Sequence, residues 1–390
     1  MHQPAPDPRP RVLHLAQPVD GGVARVVLDL TRAQLASGAR VTAGCPGGEL
    51  GSELQKMGAG FRPWRAARSP GTGLAGEVRR LARLIEEVRP ELVHAHSAKA
   101  GLAARLAVRG RIPTVFQPHA WSFEAVGGVT ACLALRWERW GARWADRVVC
   151  VSEAERATGA RAGVRASYAV IPNGIDTARF CPAPAATAPA RATLLPDLDP
   201  SAPLVVCVGR LCRQKGQDVL LRAWEQVRRT APDARLVLVG DGPDRDALRA
   251  RAHPSVCFAG AVPDTVPWYR AADLVVLPSR WEGMALAPLE ALACGRPVVL
   301  TDVDGARESL PPALAPLCLV PAADPGALAG AVTALLADAP LRAAMAAQGR
   351  RHILSTHDVR HTAERVADLY RELLGPRPPV SFERRESIHS

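Results

Sequence analysis

At 390 residues the chain is longer than one hydrophobic core usually supports, which predicts two domains with a cleft between them. Apolar residues make up 48 % and charged residues 22 %, which excludes global disorder, and no apolar run reaches the roughly 18 residues of a membrane span, so membrane contact is expected only as peripheral contact. The net charge of +11 comes almost wholly from arginine and favours anionic partners, but no zinc-finger, RRM or KH signature accompanies it, so nucleic acid is not an expected partner.

After a polar, Pro-rich lead, short Val- and Leu-rich runs alternate with longer segments of helical periodicity, the pattern of a parallel sheet covered by helices. The first series predicts strands at RVLHLA (11–16), VTAG (41–44), ELVHAH (91–96), PTVFQ (113–117) and RVVCVS (147–152), with helices near 22–37, 74–88, 98–109 and 130–146. It closes at IPNGID (171–176), and residues 10–180 are read as the N-terminal domain. The Pro- and Ala-rich stretch 181–202 has no periodic apolar face and reads as a linker with room for one short helix.

A second series predicts strands at PLVVCVGR (203–210), ARLVLVG (234–240), VCFAG (256–260), LVVLPS (274–279) and PVVLTDV (297–303). Residues 203–355 form the second domain, a helix over 356–375 is expected to pack back on the first, and 376–390 read as a disordered tail. The nine cysteines are scattered, odd in number and without a Cys-x-x-Cys pair, which reads as reduced thiols in a cytoplasmic protein.

Strand–glycine–helix junctions are natural anion sites, because amides at a helix N-terminus have no intrahelical partner. Three stand out. Gly21 and Gly22 lie between the first strand and its helix, without the G-x-G-x-x-G spacing of a dinucleotide fingerprint. Arg210 and Lys215 follow the first strand of the second series, and Lys215 is one of only three lysines, with Lys56 and Lys99. Two cations at a sheet's carboxyl edge could hold a diphosphate and neutralise its leaving charge, although such a pair in a loop can also be merely solvated.

The third junction is SRWEGMALAPLEALACGRPVV (279–299), where a helix is expected from about Ala285 to Ala293. The amides of Gly283, Met284, Ala285 and Leu286 would then face the sheet edge, with Gly283 allowing close backbone approach. Glu282 precedes this helix and Glu290 lies in its second turn, so the two carboxylates would serve different parts of one elongated ligand. Local chemistry leaves open a plainer reading, a Glu facing the helix dipole and a solvated Glu in the helix body.

Taken together, the Gly21–Gly22 loop, VHAH, PHAW, IPNGID, VGRLCRQKG, LVLVGDGPDRDAL, PSRWEGMALAPLEALACGRPVVLTD and DGARESL resemble the family-4 retaining glycosyltransferases, or group 1 glycosyl transferases, of GT-B fold. They occur in family order and cover most of residues 10–375. The resemblance implies two Rossmann-like, doubly wound α/β domains facing across a cleft, with a nucleotide sugar held mainly by the second and a glycan or lipid-linked acceptor by the first. It implies transfer of a hexosyl or N-acetylhexosaminyl unit with retention, without a metal or cofactor, in cell-surface polysaccharide or glycolipid synthesis.

By motif position, Glu290 would hold the ribose hydroxyls, Glu282 and His119 the donor sugar, and Arg210 and Lys215 the diphosphate. Gly22, beside Gly21, would let the first-domain loop close on the phosphates, and Gly240 and His96 would lie at the cleft. Asn173 and Asp176 would shape the hinge and cleft. Other readings are a GT-B epimerase or a catalytically silent sugar-nucleotide-binding protein. A pyridoxal-dependent phosphorylase is disfavoured, because no lysine follows Lys215 to form its Schiff base.

Some features depart from the family pattern or mimic other chemistry. Met284 stands where the family has an aromatic, Asp304–Gly305 replaces a Gly–Gly pair, and LPPALAPLCLVP replaces a glycine-containing segment. Asp302 and Asp304 mimic a metal-binding Asp-x-Asp but are not expected to bind metal. His94 and His96 mimic a two-histidine metal pair, and are expected to point to opposite faces of their strand, which would rule out zinc. Trp137, Trp140 and Trp144, flanked by Arg136, Arg139, Arg143 and Arg147, fit either a core helix or an interfacial helix at an anionic membrane.

Overall fold

The computed structural model describes residues 9–183, 185 and 187–375, so the expected tail at 376–390 lies outside the described residues. Strands β1 (Arg11–Ala16), β2 (Arg40–Cys45), β3 (Gly60–Pro63), β4 (Leu92–His96), β5 (Thr114–Gln117), β6 (Arg147–Cys150) and β7 (Tyr168–Val170) form one parallel sheet in the order β3-β2-β1-β4-β5-β6-β7. Around it lie α1 (Gly21–Ala36), α2 (Glu49–Lys56), α3 (Leu74–Val88), α4 (Ser97–Val108), α5 (Gly128–Gly141) and α6 (Glu153–Arg161). A short helix, α7 (Thr187–Leu194), follows, and its Arg191 is tied to Asp273 at 2.7 Å.

The second sheet holds β8 (Leu204–Val208), β9 (Arg235–Val239), β10 (Val256–Gly260), β11 (Leu274–Leu277), β12 (Val298–Thr301) and β13 (Leu319–Val320), all parallel, in the order β10-β9-β8-β11-β12-β13. Its helices are α8 (Gln217–Thr230), α9 (Arg245–Arg249), α10 (Val266–Ala271), α11 (Leu286–Ala293), α12 (Ala315–Cys318) and α13 (Pro325–Ala337). Strands LVVCV, RLVLV, LVVL and VVLT are apolar but for the terminal Arg235 and Thr301, because helices cover both faces. Strand order reverses between β1 and β4, and again between β8 and β11, which places a ligand crevice beyond the carboxyl ends of those strands.

Elements the sequence pattern missed are short or weakly apolar. β3 is half-exposed and ends on Pro63, β7 has three residues and β13 two, while α2 and α6 carry too few apolar residues to show a period. The last helices, α14 (Ala339–Thr356) and α15 (Val359–Leu374), lead the chain back to the first sheet. There the Ile175 amide donates to the His357 carbonyl and the Val359 amide to that of Ile175, both at 2.9 Å. Asp358 caps α15 through the Arg360 amide, the helix packs on α1, and Glu372 pairs with Arg147. Among the described residues, no single helix is long and apolar enough to cross a membrane.

Helix α5 is pinned from below by a buried ion pair. Arg105 of α4 meets Glu138 at 2.8 Å with both side chains 1 % exposed, Ser122 donates to the other carboxylate oxygen at 2.8 Å, and the guanidinium lies 4.0 Å from the centre of the Phe116 ring. Removing one member of such a pair strands the other charge in the core. Glu138→Ala is expected to lower the unfolding free energy by about 3–5 kcal/mol, and Arg105→Met/Glu138→Ala by much less, measured by denaturant titration.

Candidate functional site

The second sheet's edge is built by two loops at its switch point. After β8 the chain runs through Gly209 and Arg210 to a 3-10 turn ending at Lys215, whose aliphatic stem lies over Gly209. Gly216 has φ +65°, and a Cβ there would fall 2.1 Å from the Pro278 carbonyl oxygen, so only glycine lets this loop reach the one after β11. Gly240 performs the same service for the other flank, since a Cβ would meet the Gly209 carbonyl oxygen at 2.2 Å. It supports the Arg210 loop from behind.

Across these loops the Lys215 ammonium meets Glu282 Oε1 at 2.5 Å, and the Ser279 hydroxyl donates to the same oxygen at 2.6 Å. Glu282 is buried, and its turn is fixed by Arg280, which grips both carboxylate oxygens of Asp218 at 2.8 and 2.7 Å. The two residues expected at the diphosphate and at the sugar are thus direct neighbours.

Opposite Arg210 stands a residue that the sequence did not single out. Arg68 belongs to the first domain, pairs weakly with Asp20 at 3.4 Å, and has its pKa lowered by burial and by the Arg210 charge. Two like charges this close repel, and an anion bound by both would relieve the repulsion. Nothing in the local pattern of RAARSPGTG marks Arg68.

Helix α11 starts at Leu286, after Ala285, one residue later than expected. The Gly283 carbonyl accepts from the Ser152 hydroxyl at 2.9 Å and the Met284 carbonyl from the Asn173 amide side chain at 2.8 Å. The amides of Gly283, Met284 and Ala285 donate no backbone hydrogen bond among the described residues, leaving donors at the helix N-terminus. The glycines expected in a loop instead open α1: Gly22, in its first turn, lies against the start of α11, because a Cβ on it would be 3.7 Å from Leu286, while Gly21 has φ +67° and open space.

In the second turn of α11, Glu290 accepts the Tyr269 hydroxyl proton at 2.6 Å. Burial pushes its carboxyl pKa up, opposed by that hydrogen bond and by Arg25 and Arg179. Tyr269 and Arg25 come from α10 and α1, distant in sequence, and no local signal could have found them.

His119 follows β5 with φ +61°, and Ala120 with φ +141°, both unusual for residues other than glycine. Such strain costs on the order of 1–3 kcal/mol and clusters at functional sites. The His119 ring is half-buried, its pKa is lowered to about 3 by desolvation, and its Nε2 lies 3.1 Å from His96 Nδ1. His96 is fully buried and reaches the cleft only through His119. Glu155, also absent from the sequence expectations, sits beside Gly283, and burial pushes its carboxyl up to about 8, so it is largely protonated at neutral pH.

Two decoys resolve differently. Asp302 pairs with Arg307 and Asp304 accepts from Thr158, so their carboxylates go to separate partners. The expectation for His94 and His96 was wrong: residues two apart on a strand share a face, and their rings stack with centroids 4.0 Å apart. With His14, ring nitrogens of all three lie within 4.8 Å of one another.

Two family descriptions match the chain: Glycosyltransferase Family 4 over residues 20–179 and Glycosyl transferases group 1 over 202–338. A GDP-mannose-dependent alpha-(1-6)-phosphatidylinositol monomannoside mannosyltransferase from Mycolicibacterium smegmatis is 36 % identical over 331 residues, covering 78 % of this chain and 84 % of the relative. A lipopolysaccharide core biosynthesis mannosyltransferase from Rhizobium meliloti is 33 % identical over 254 residues, 61 % of this chain and 69 % of the relative. The solved structure of Anabaena Alr3699/HepE with UDP-glucose aligns with a TM-score of 0.80 at 23 % identity, over 93 % of this chain and 99 % of that one. The chain belongs to the family-4, group 1 glycosyltransferases of GT-B fold, and it is a hexosyltransferase.

Proposed function

We propose that this enzyme transfers a hexosyl unit, mannosyl before others, from a nucleotide diphosphate sugar to a lipid-linked glycan on the cytoplasmic side of a bacterial membrane, with retention and without a metal. The observation that carries this reading is the Lys215–Glu282 pair at the second sheet's switch point, with Arg210 in the loop that carries Lys215 and Arg68 of the first domain near enough to Arg210 to feel its charge. The names of the mannosyltransferase relatives support mannose and a glycolipid or lipopolysaccharide acceptor.

In this reading Arg210, Arg68 and Lys215 hold the diphosphate, with the unused amides of residues 283–285 at the same helix start. Glu282 and His119 orient the sugar, and Glu290 holds the ribose hydroxyls. Gly21 and Gly22 bring the start of α1 close to that of α11, and Asn173 straps the two domains through Met284. The bond from the anomeric carbon to the phosphate oxygen breaks as the acceptor oxygen bonds on the same face. The acceptor proton passes to the departing phosphate oxygen, so the protein contributes positioning and charge stabilisation.

GDP-mannose is expected to raise the melting temperature more than other nucleotide sugars in a panel, by mass action on the folded state. GDP should be released only when a lipid-linked glycan is present. Stabilisation by none of the donors, or release independent of acceptor, would remove the assignment.

Helix α5 supplies the membrane side of the reading. Val129, Leu133 and Trp140 are 77, 61 and 43 % exposed, with Arg136 and Arg143 exposed on the same helix and its extension. Apolar side chains beside arginines suit an anionic lipid interface. The protein should float with anionic liposomes, and Arg136→Glu/Arg143→Glu should stay at the bottom of the gradient; equal flotation would refute the contact.

A further inference from the structure

The first sheet departs from the apolar interior that a covered parallel sheet normally has. Strands β1, β4 and β5 bury His14, His94, His96 and Gln117, each 0–3 % exposed. His14 and His94 are register partners across β1 and β4, and His96 and Gln117 across β4 and β5, so the sheet itself aligns the polar side chains.

Their contacts form a line. His119 Nε2 lies 3.1 Å from His96 Nδ1, His96 Nε2 2.9 Å from His14 Nδ1, and His14 Nε2 2.8 Å from Gln34 Oε1 on α1. Gln34 in turn interacts with the Tyr370 hydroxyl of α15, which lies 2.6 Å from His94 Nδ1, and His94 interacts with Gln117. The two looser links are Gln34 to Tyr370 and His94 to Gln117, since Gln34 Nε2, His94 Nε2 and Gln117 Oε1 have no partner at full hydrogen-bond geometry.

Burial lowers the pKa of all four imidazoles, His14 to about 4 and His119 to about 3, so each ring is neutral at pH 7. A neutral imidazole has one N–H and one acceptor nitrogen. Each contact in the line needs one proton, and the rings have one apiece. Because Gln34 presents its oxygen, His14 must donate from Nε2, which leaves its Nδ1 to accept from His96 Nε2. His96 Nδ1 must then accept from His119 Nε2. On the other branch the Gln34 amide faces the Tyr370 oxygen, Tyr370 donates to His94 Nδ1, and His94 Nε2–H faces Gln117. The protons all run one way.

We propose that this line is a positioning device: Gln34, His14 and His96 lock His119 in its Nε2–H tautomer, leaving Nδ1 as an acceptor for a substrate hydroxyl. The idea rests on the reading that His119 faces the donor sugar. Locking matters because an unheld neutral histidine divides between two tautomers, and only one presents an acceptor at a given nitrogen. Tyr370 anchors the far end from the helix that returns out of the second domain, so the line also ties this helix to the site.

The test is the full chain with 15N-labelled imidazoles, read by long-range proton–nitrogen correlation at pH 7 and assigned through single histidine variants. His14, His94, His96 and His119 are all expected as neutral Nε2–H rings. An Nδ1–H tautomer or an imidazolium at His14, His96 or His119, or a stoichiometric metal ion on the three clustered rings, overturns the proposal. Gln34→Met should let His119 average between tautomers and lower kcat about tenfold, with donor KM changed less than about twofold. Tyr370→Phe, which frees the Gln34 amide, serves as a second variant and should shift the same His119 signals. A single unchanged Nε2–H tautomer at His119 in both variants refutes the locking. Scrambled tautomers with unchanged turnover uphold the line and refute the place of His119 at the sugar.

Discussion

Lys215→Ala and Glu282→Ala should each lower kcat by about two to three orders of magnitude while the thermal unfolding transition survives. The size follows from where the pair sits. Lys215 is 19 % and Glu282 8 % exposed, so their charges act in a medium that screens them less than bulk water. In the proposed reading, loss of Lys215 takes an ammonium from the leaving diphosphate, and Glu282 loses the contact that aims it. Without Glu282, the ammonium keeps its charge but is free to move off the line to the phosphates. Each variant therefore damages both functions, and the double variant should fall well short of the product of the singles, with a coupling of about 1–3 kcal/mol. Lys215→Arg should not rescue, because a planar guanidinium cannot replace a compact ammonium at a single 2.5 Å contact. Initial rates of acceptor-dependent nucleotide release measure all four proteins. Near-wild-type rates in both single variants would remove the pair from the site.

What was legible in the sequence was what repeats locally. The apolar strands β8, β9 and β11 declare themselves through LVVCV, RLVLV and LVVL, and Cys294–Gly295 marks the end of α11. Glu282 and Glu290 could be placed before and within that helix from spacing alone. What was not legible depends on elements far apart in the chain. Arg68 opposite Arg210, Tyr269 on Glu290 and Gln34 on His14 arise only when the sheets stack their helices. The histidine cluster failed for a different reason, a misapplied strand period, since side chains repeat every two residues. Even with the period right, His14 would have stayed invisible, because the register of β1 against β4 delivers it.

Gly283→Ala should lower kcat about a hundredfold while leaving donor affinity nearly intact, because it acts on the seam between the domains. A Cβ on Gly283 would stand 2.9 Å from Val151 Cγ2, 2.9 Å from Glu155 Oε1 and 3.0 Å from the His119 carbonyl carbon, all in the first domain. Glu155 is the far end of a side chain and can shift. The His119 backbone, already at positive φ, cannot move without moving the ring that reaches the cleft. Several bonds hold the same seam: Ser152 to the Gly283 carbonyl, Asn173 to that of Met284, and Glu308 to the amides of Glu153 and Ala154 at 2.8 and 2.9 Å. They resist sliding, so the added methyl should part the domains locally. The donor, held mainly by the second domain in the proposed reading, keeps its contacts there, but the acceptor side is displaced. A shift of about 1 Å between reacting groups is enough for a hundredfold loss. Gly330→Ala is the control, since its Cβ meets nothing within 4 Å, and it should leave the rate unchanged. Isothermal titration with donor separates binding from turnover. A Gly283→Ala enzyme with wild-type kcat would show that close apposition of the Glu282 turn and His119 is not needed for transfer.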